Sequence, residues 1–209
     1  MDLIGFLFRW SHVLFGITWI GMLYYFNFIQ GGYFKQASAE GLADAKAKLA
    51  PSALWWFRWG AMGTFITGLA LLGKLAIGLN NYIIVGAIFG TIMFLNVWLI
   101  IWPNQKIALG MAEGDAPAAG AKALLASRHN VLYSAPMAFC MLASGHPDPS
   151  LGWNLYSSMS NSLIVMLVII AALQANAMFG KQGPLTTVKG VIHASLGLTA
   201  VMVLVFNYV

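Results

Sequence analysis

A single cysteine, Cys140, in 209 residues excludes any disulfide within the chain. It also excludes covalent haem attachment through Cys-x-x-Cys-His and any cysteine-ligated iron–sulfur cluster. Charge is almost as scarce: 8% of residues are Asp, Glu, Lys or Arg, whereas 60% are hydrophobic, and the mean hydropathy is +0.77. A water-soluble core of this size cannot hide so much apolar surface, so the composition is that of an integral membrane protein. The six acidic residues, Asp2, Glu40, Asp44, Glu113, Asp115 and Asp148, all lie outside the apolar runs. Proton relays and cation-coupled transporters need a carboxylate inside the membrane, and none is offered here. The sequence holds no His-Glu-x-x-His, no glycine-rich phosphate loop and no nucleophile elbow. Its net charge of +5 forms no nucleic-acid-binding footprint. The first apolar run is too long for a signal-peptide core and no small-x-small site ends it, so it is expected to remain as a membrane anchor.

What is present is a series of apolar runs. They predict an all-α polytopic bundle, a single integral-membrane domain over residues 1–209, with six spanning helices at about 3–29, 53–77, 81–103, 119–145, 159–180 and 186–208. The Ala-rich stretch 36–49 is compatible with a short surface helix, and propensity alone lets the fourth helix begin before its apolar part. The connections after the first, third and fifth helices hold Lys35, Lys46, Lys48, Lys106, Lys122, Arg128, Lys181 and Lys189. The opposite side has little beyond Lys74, with Asp2 and Asp148. The positive-inside rule then places the odd connections in the cytoplasm and both termini in the periplasm, in a multi-pass protein of a bacterial inner membrane. Gly60, Thr64, Thr67 and Gly68, and the pair Gly86 and Gly90, are small enough to let helices approach closely in lipid. Trp55, Trp56 and Trp59 are expected in an aromatic belt, and the Met and Phe residues on the lipid side. Pro103-Asn104-Gln105-Lys106 is expected to cap the third helix.

The residues most costly to bury sit in the first run. At 100° per residue, Gly5, Arg9, His12, Gly16, Trp19 and Asn27 share one side of that helix. Ionisable groups at such depth face a protein interior or a cavity, so this side is expected to be enclosed by the other helices. Histidines recur at His129, His146 and His193. Imidazoles from bundle helices are the usual ligands of a non-covalently held haem iron, which makes haem b the expected cofactor. Gly16 follows His12 by one turn, Gly197 follows His193 by one turn, and Gly190 lies on its other side; each leaves room for a porphyrin plane. By rise along the helix, His12 lies about 6 Å outward and His193 about 6 Å inward of their helix centres. His12 with His193 can bracket one haem; His129 with His193 and His12 with His146 are the alternative pairs. Arg9 can neutralise a propionate or simply snorkel to the interface. A lone membrane histidine can equally hydrogen-bond a neighbouring helix, His146 in Gly-His-Pro can be an ordinary loop residue, and Cys140 reads as packing.

Four stretches together resemble the N-terminal membrane domain of the bacterial cytochrome c-linked urate oxidases. They are Arg9-Trp-x-His-Val-x-x-Gly-Ile-x-Trp-Ile-Gly with Tyr25-Phe26; Trp56-Phe57-Arg58-Trp59 with Thr67-Gly68; Gly90-Thr91-Ile92-Met93-x-x-Asn96-Val97 running to Ile101-x-Pro103-Asn104-Gln105-Lys106; and His129-Asn130, Pro136 and Met141-Leu142-Ala143-Ser144-x-His146. The resemblance covers roughly residues 9–146 and implies functional positions at Arg9, His12, Asn96, Asn104, His129, Asn130 and His146, with Asn96, Asn104 and Asn130 as polar lining. It implies a membrane-bound oxidoreductase passing substrate electrons to cytochrome c. With no Cys-x-x-Cys-His in this sequence, the acceptor is expected to be a separate protein. The first helix is also similar, more weakly, to small haem-b membrane proteins of the copper-resistance and protoporphyrinogen-oxidase type. The sequence therefore points to a membrane redox protein with b-type haem. The competing reading is a non-catalytic transmembrane subunit stabilising a larger respiratory or photosynthetic complex.

Overall fold

The structure, a computed structural model, describes residues 3–74, 79–146, 160–180 and 182–209. Asp2, Asp148 and Lys181 of the charge pattern, and the expected helix ends at 75–77 and 159, lie outside the described residues. Among the described residues all regular structure is helical, with no strand. The described residues form six long helical rods. They are α1 (Leu3–Gln36), α2 (residues 39–74, with Ala50–Lys74 as its apolar part), α3 (Asn81–Ala108), α4 (Ala116–Gly145), α5 (Asn161–Phe179) and α6 (Val188–Tyr208). Four of them, α1, α3, α5 and α6, are long and apolar enough to cross a membrane.

The start of every rod after the first is written in the sequence as a capping side chain. Ser38 Oγ accepts from the Gly41 amide (3.1 Å), Asn80 Oδ1 from Ile83 (3.0 Å), Asp115 Oδ1 from Ala118 (3.1 Å), Ser160 Oγ from Leu163 (3.3 Å) and Thr187 Oγ1 from Gly190 (3.0 Å). Each satisfies one amide that a helix start otherwise leaves unpaired. The Ala-rich stretch 39–49 is helical and runs straight into α2, and α4 begins at Ala116, three residues before its expected start.

The third helix does not end at Pro103. It continues to Ala108 and stops at Leu109, followed by Gly110 with φ +74°. Proline removes one backbone donor and crowds the carbonyl one turn back, which normally kinks or ends a helix. Here the six residues Asn96–Ile101 just before it adopt the wider π-helical turn, and the Asn104 side-chain amide donates to the Ile100 carbonyl at 2.7 Å. The same wide turn recurs at Tyr25–Gln30 in α1 and Ala45–Leu49 in α2. π turns are rare, well under about 1% of residues in ordinary proteins, and concentrate at functional sites.

The chain forms two compact units, residues Met1–Leu71 with Met93–Asn130, and residues Leu72–Ile92 with Val131–Val209. In the first, α1 and α2 are antiparallel and very close. A Cβ on Gly60 would stand 3.0 Å from the Trp19 amide nitrogen, and one on Gly63 would fall 2.5 Å from the Phe15 ring. Phe26 packs edge-on against Phe57, Phe65 stacks on Phe94 at 4.1 Å between centroids, and Trp59 meets Trp98. Trp55, Trp56 and Trp59 are exposed, as an aromatic belt requires.

In the second unit α3 and α4 approach through Gly86 and Gly90. A Cβ on Gly86 would meet Cys140 Cβ, and Gly90 faces Met137 Sδ. Cys140 is fully buried and its thiol donates to Met202 Sδ at 3.2 Å. Ser195 on α6 donates to the Val131 and Leu132 carbonyls of α4, and Tyr133 donates to Gln174 of α5. The expectation that Met and Phe face lipid fails for the largest core residues. Phe57, Phe89, Met93, Met166 and Met202 are buried: Phe57 packs on Phe26, Phe89 on Tyr133, and Met202 accepts from the Cys140 thiol.

Candidate functional site

Helix α1 carries the expected polar side, and the structure encloses most of it. Trp19 and Asn27 are buried and Gly5, His12 and Gly16 half-buried. Arg9 is the exception. It is exposed, as a snorkelling arginine is.

His12 is held by α2. Its Nδ1 lies 2.9 Å from the Thr64 carbonyl oxygen and 3.1 Å from Thr67 Oγ1. A carbonyl can only accept, so Nδ1 carries the proton. The Thr67 hydroxyl in turn donates to Gly63 O at 2.6 Å, leaving its oxygen free to accept. Ring atom Cε1 rests where a side chain at Gly68 would begin, and no atom stands within 4 Å of a Cβ built on Gly16. The bland reading of a membrane histidine, a bond to the next helix, is thus met at Nδ1. That same bond fixes the tautomer and leaves the Nε2 lone pair available, which is the arrangement found in metal-ligating imidazoles.

The other histidines differ. His129 is buried and its Nδ1 donates to Leu125 O of its own helix at 3.0 Å. His146 is exposed and does the same to Leu142 O at 2.9 Å. His193 is exposed on α6. His12 and His129 belong to the first unit, His146 and His193 to the second. Gly197 has open space beside it as expected, but Gly190 does not: a Cβ there would strike the Pro184 carbonyl of the short Gly183–Thr186 turn. Its missing side chain serves the turn that starts α6. Among the described residues no group of three or more His, Cys, Asp or Glu is gathered as a metal site.

A second polar region of the first unit lies about 22 Å further along α1, the rise of fifteen residues from His12 to Asn27. Asn27 donates to Leu23 O and to Ser127 Oγ (2.7 Å). Asn96 donates to Asn130 Oδ1 (2.9 Å), and Asn130 donates to Met93 O (3.0 Å). Those two asparagines therefore clamp α3 to α4, and Asn104, half-buried, serves its own helix. Arg58 lies 3.5 Å above the Trp102 ring and 5.9 Å from that of Trp98. Two of the three π turns begin at or beside these residues, at Tyr25 and Asn96.

Arg128, next to His129, is the residue that sequence reading missed, having counted it only as a cytoplasmic charge. The missed signal is the run Ser127-Arg128-His129-Asn130. Four successive residues sweep a full circle of the helix, so polar groups must point inward somewhere. All four are buried.

The urate oxidase N-terminal family matches residues 73–207. The chain belongs to that family. As a urate oxidase N-terminal family member it carries Asn96, Asn104, His129, Asn130, His146 and His193 inside the matched segment, while Arg9, His12 and the α1–α2 stretches of the resemblance precede it. No curated protein and no solved structure matches the chain.

Proposed function

We propose that this family member is a membrane-embedded redox protein that holds b-type haem through His12 and passes electrons to a separate cytochrome. The observation that carries the proposal is the Nδ1 bond of His12 to Thr64 O, which leaves Nε2 as the ring's only available lone pair. The open space beside Gly16, one turn along the same side, fits a planar ligand. Haem b, when bound, supplies a one-electron Fe(III)/Fe(II) couple. The work of the chain is to orient the imidazole through Thr64 and Thr67 and to fix its tautomer through the Nδ1 hydrogen bond.

In this reading all six rods cross the membrane, the lysine-rich odd connections are cytoplasmic and both termini are periplasmic, in a bacterial inner membrane. A periplasmic acceptor is then consistent with the outward position of His12. A reduced-minus-oxidised spectrum of the purified chain tests the proposal. Soret and α bands of a b-type haem support it. A haem-free preparation, from cells supplied with haem precursor, overturns it in favour of a transmembrane subunit of a larger complex.

A further inference from the structure

Arg128 is 9% exposed, and neither its Nε nor its Nη1 has a hydrogen-bond partner. No carboxylate pairs with it: the described acidic residues of its unit, Glu40, Asp44, Glu113 and Asp115, are all exposed, and the salt bridge among the described residues is Lys48–Asp44. The neighbour of Arg128, Ser127, accepts from Asn27 of α1, so Arg128 follows the residue through which α4 meets α1. A guanidinium almost wholly buried and not neutralised makes a strongly unfavourable arrangement in a membrane protein unless an anion completes it.

We infer that Arg128 forms a binding site for an oxyanion, a phosphate or carboxylate group. The oxyanion supplies the missing charge and accepts the unpaired guanidinium protons. It is not a substituent of a group ligated by His12, which lies about 22 Å away along α1 by helical rise. The two sources with this chemistry are a free anion and the phosphate of a lipid headgroup. The inference stands on the first unit alone and does not depend on the haem proposal.

The test is thermal unfolding of the full chain, followed by tryptophan fluorescence, in uncharged detergent and in phosphatidylcholine nanodiscs. Potassium phosphate and potassium acetate are titrated against potassium chloride at constant ionic strength, and a parallel set of nanodiscs contains phosphatidylglycerol. A saturable effect, lowering the unfolding equilibrium constant about tenfold at about ten times the dissociation constant, is expected for the wild type and lost in Arg128→Met. If phosphate or acetate produces it, the ligand is a free anion. If only phosphatidylglycerol does, the ligand is a lipid; both results support the site. Should Arg128→Met fail to fold, Arg128→Lys, which keeps the charge but not the fork of donors, is expected to weaken the effect several-fold. The inference is overturned if no anion and no anionic lipid changes the wild type, or if the Arg128 variants respond as the wild type does.

Discussion

His12 Nδ1 donates to the carbonyl oxygen of Thr64 at 2.9 Å, a bond from α1 to α2 that orients the imidazole and dictates which nitrogen remains basic. The Thr64 carbonyl would ordinarily serve only its own helix. Its second lone pair makes the bond available without unwinding α2. The hydroxyl of Thr67 adds a second acceptor on the same side at 3.1 Å. Thr67→Val is therefore expected to keep the haem and shift its reduction potential or band positions slightly, because Thr64 O still holds the ring. Redox titration of the variant checks this, and complete loss of haem would show that the hydroxyl, not the carbonyl, positions His12.

The closeness of α1 and α2 rests on Gly63. A Cβ there would fall 2.5 Å from the Phe15 ring. Gly63→Leu is expected to destabilise the chain by about 1–3 kcal/mol through overpacking. Phe15→Ala in the same chain should recover part of that, since residues in contact do not add independently. Unfolding midpoints in detergent for the two single variants and the double variant decide it; strict additivity would mean the helices do not pack through this pair.

Asn96 and Asn130 form a buried pair in which Asn130 accepts from Asn96 and donates to Met93 O. Asn96→Leu leaves the Asn130 oxygen buried without a donor, at an expected loss of about 1–3 kcal/mol. Replacing both by leucine should cost less than the sum of the two single changes. A chain unchanged in stability by Asn96→Leu would remove the clamp from the account.

The charge pattern predicts sidedness. Reporters fused after Val209 should be active when they require the periplasm, and reporters inserted near Lys46 or Lys122 when they require the cytoplasm. The reverse pattern would invert the whole topology and place His12 on the cytoplasmic side.

The fold was legible because its signals are local. Among the described residues the apolar runs lie on long helices, four of them long and apolar enough to span a membrane, and Ser38, Asn80, Asp115, Ser160 and Thr187 set where five helices begin. Small residues such as Gly60 and Gly86 marked true close approaches. The site was legible only in part. A glycine one turn from a histidine says that the two share a side, not which way that side faces. For His12 it faces α2, while His193 is exposed. Nor does the 100° count foresee π turns, which rotate every later residue, or a helix that continues through Pro103. Arg128 was hidden because a cation near a helix end reads as interfacial, and its burial depends on the packing of neighbouring helices. The matched family segment adds no weight to His12, which precedes residue 73.

Haem ligation in the proposed function rests on one atom, Nε2 of His12. The most direct measurement is haem per chain in the purified wild type and in His12→Leu, by pyridine haemochrome assay together with the reduced-minus-oxidised spectrum. Haem is expected in the wild type, and its loss, or a displaced Soret band from a lost axial ligand, in a folded His12→Leu variant, with His146→Leu unchanged. An unaltered haem content and an unshifted spectrum in His12→Leu would contradict that ligation.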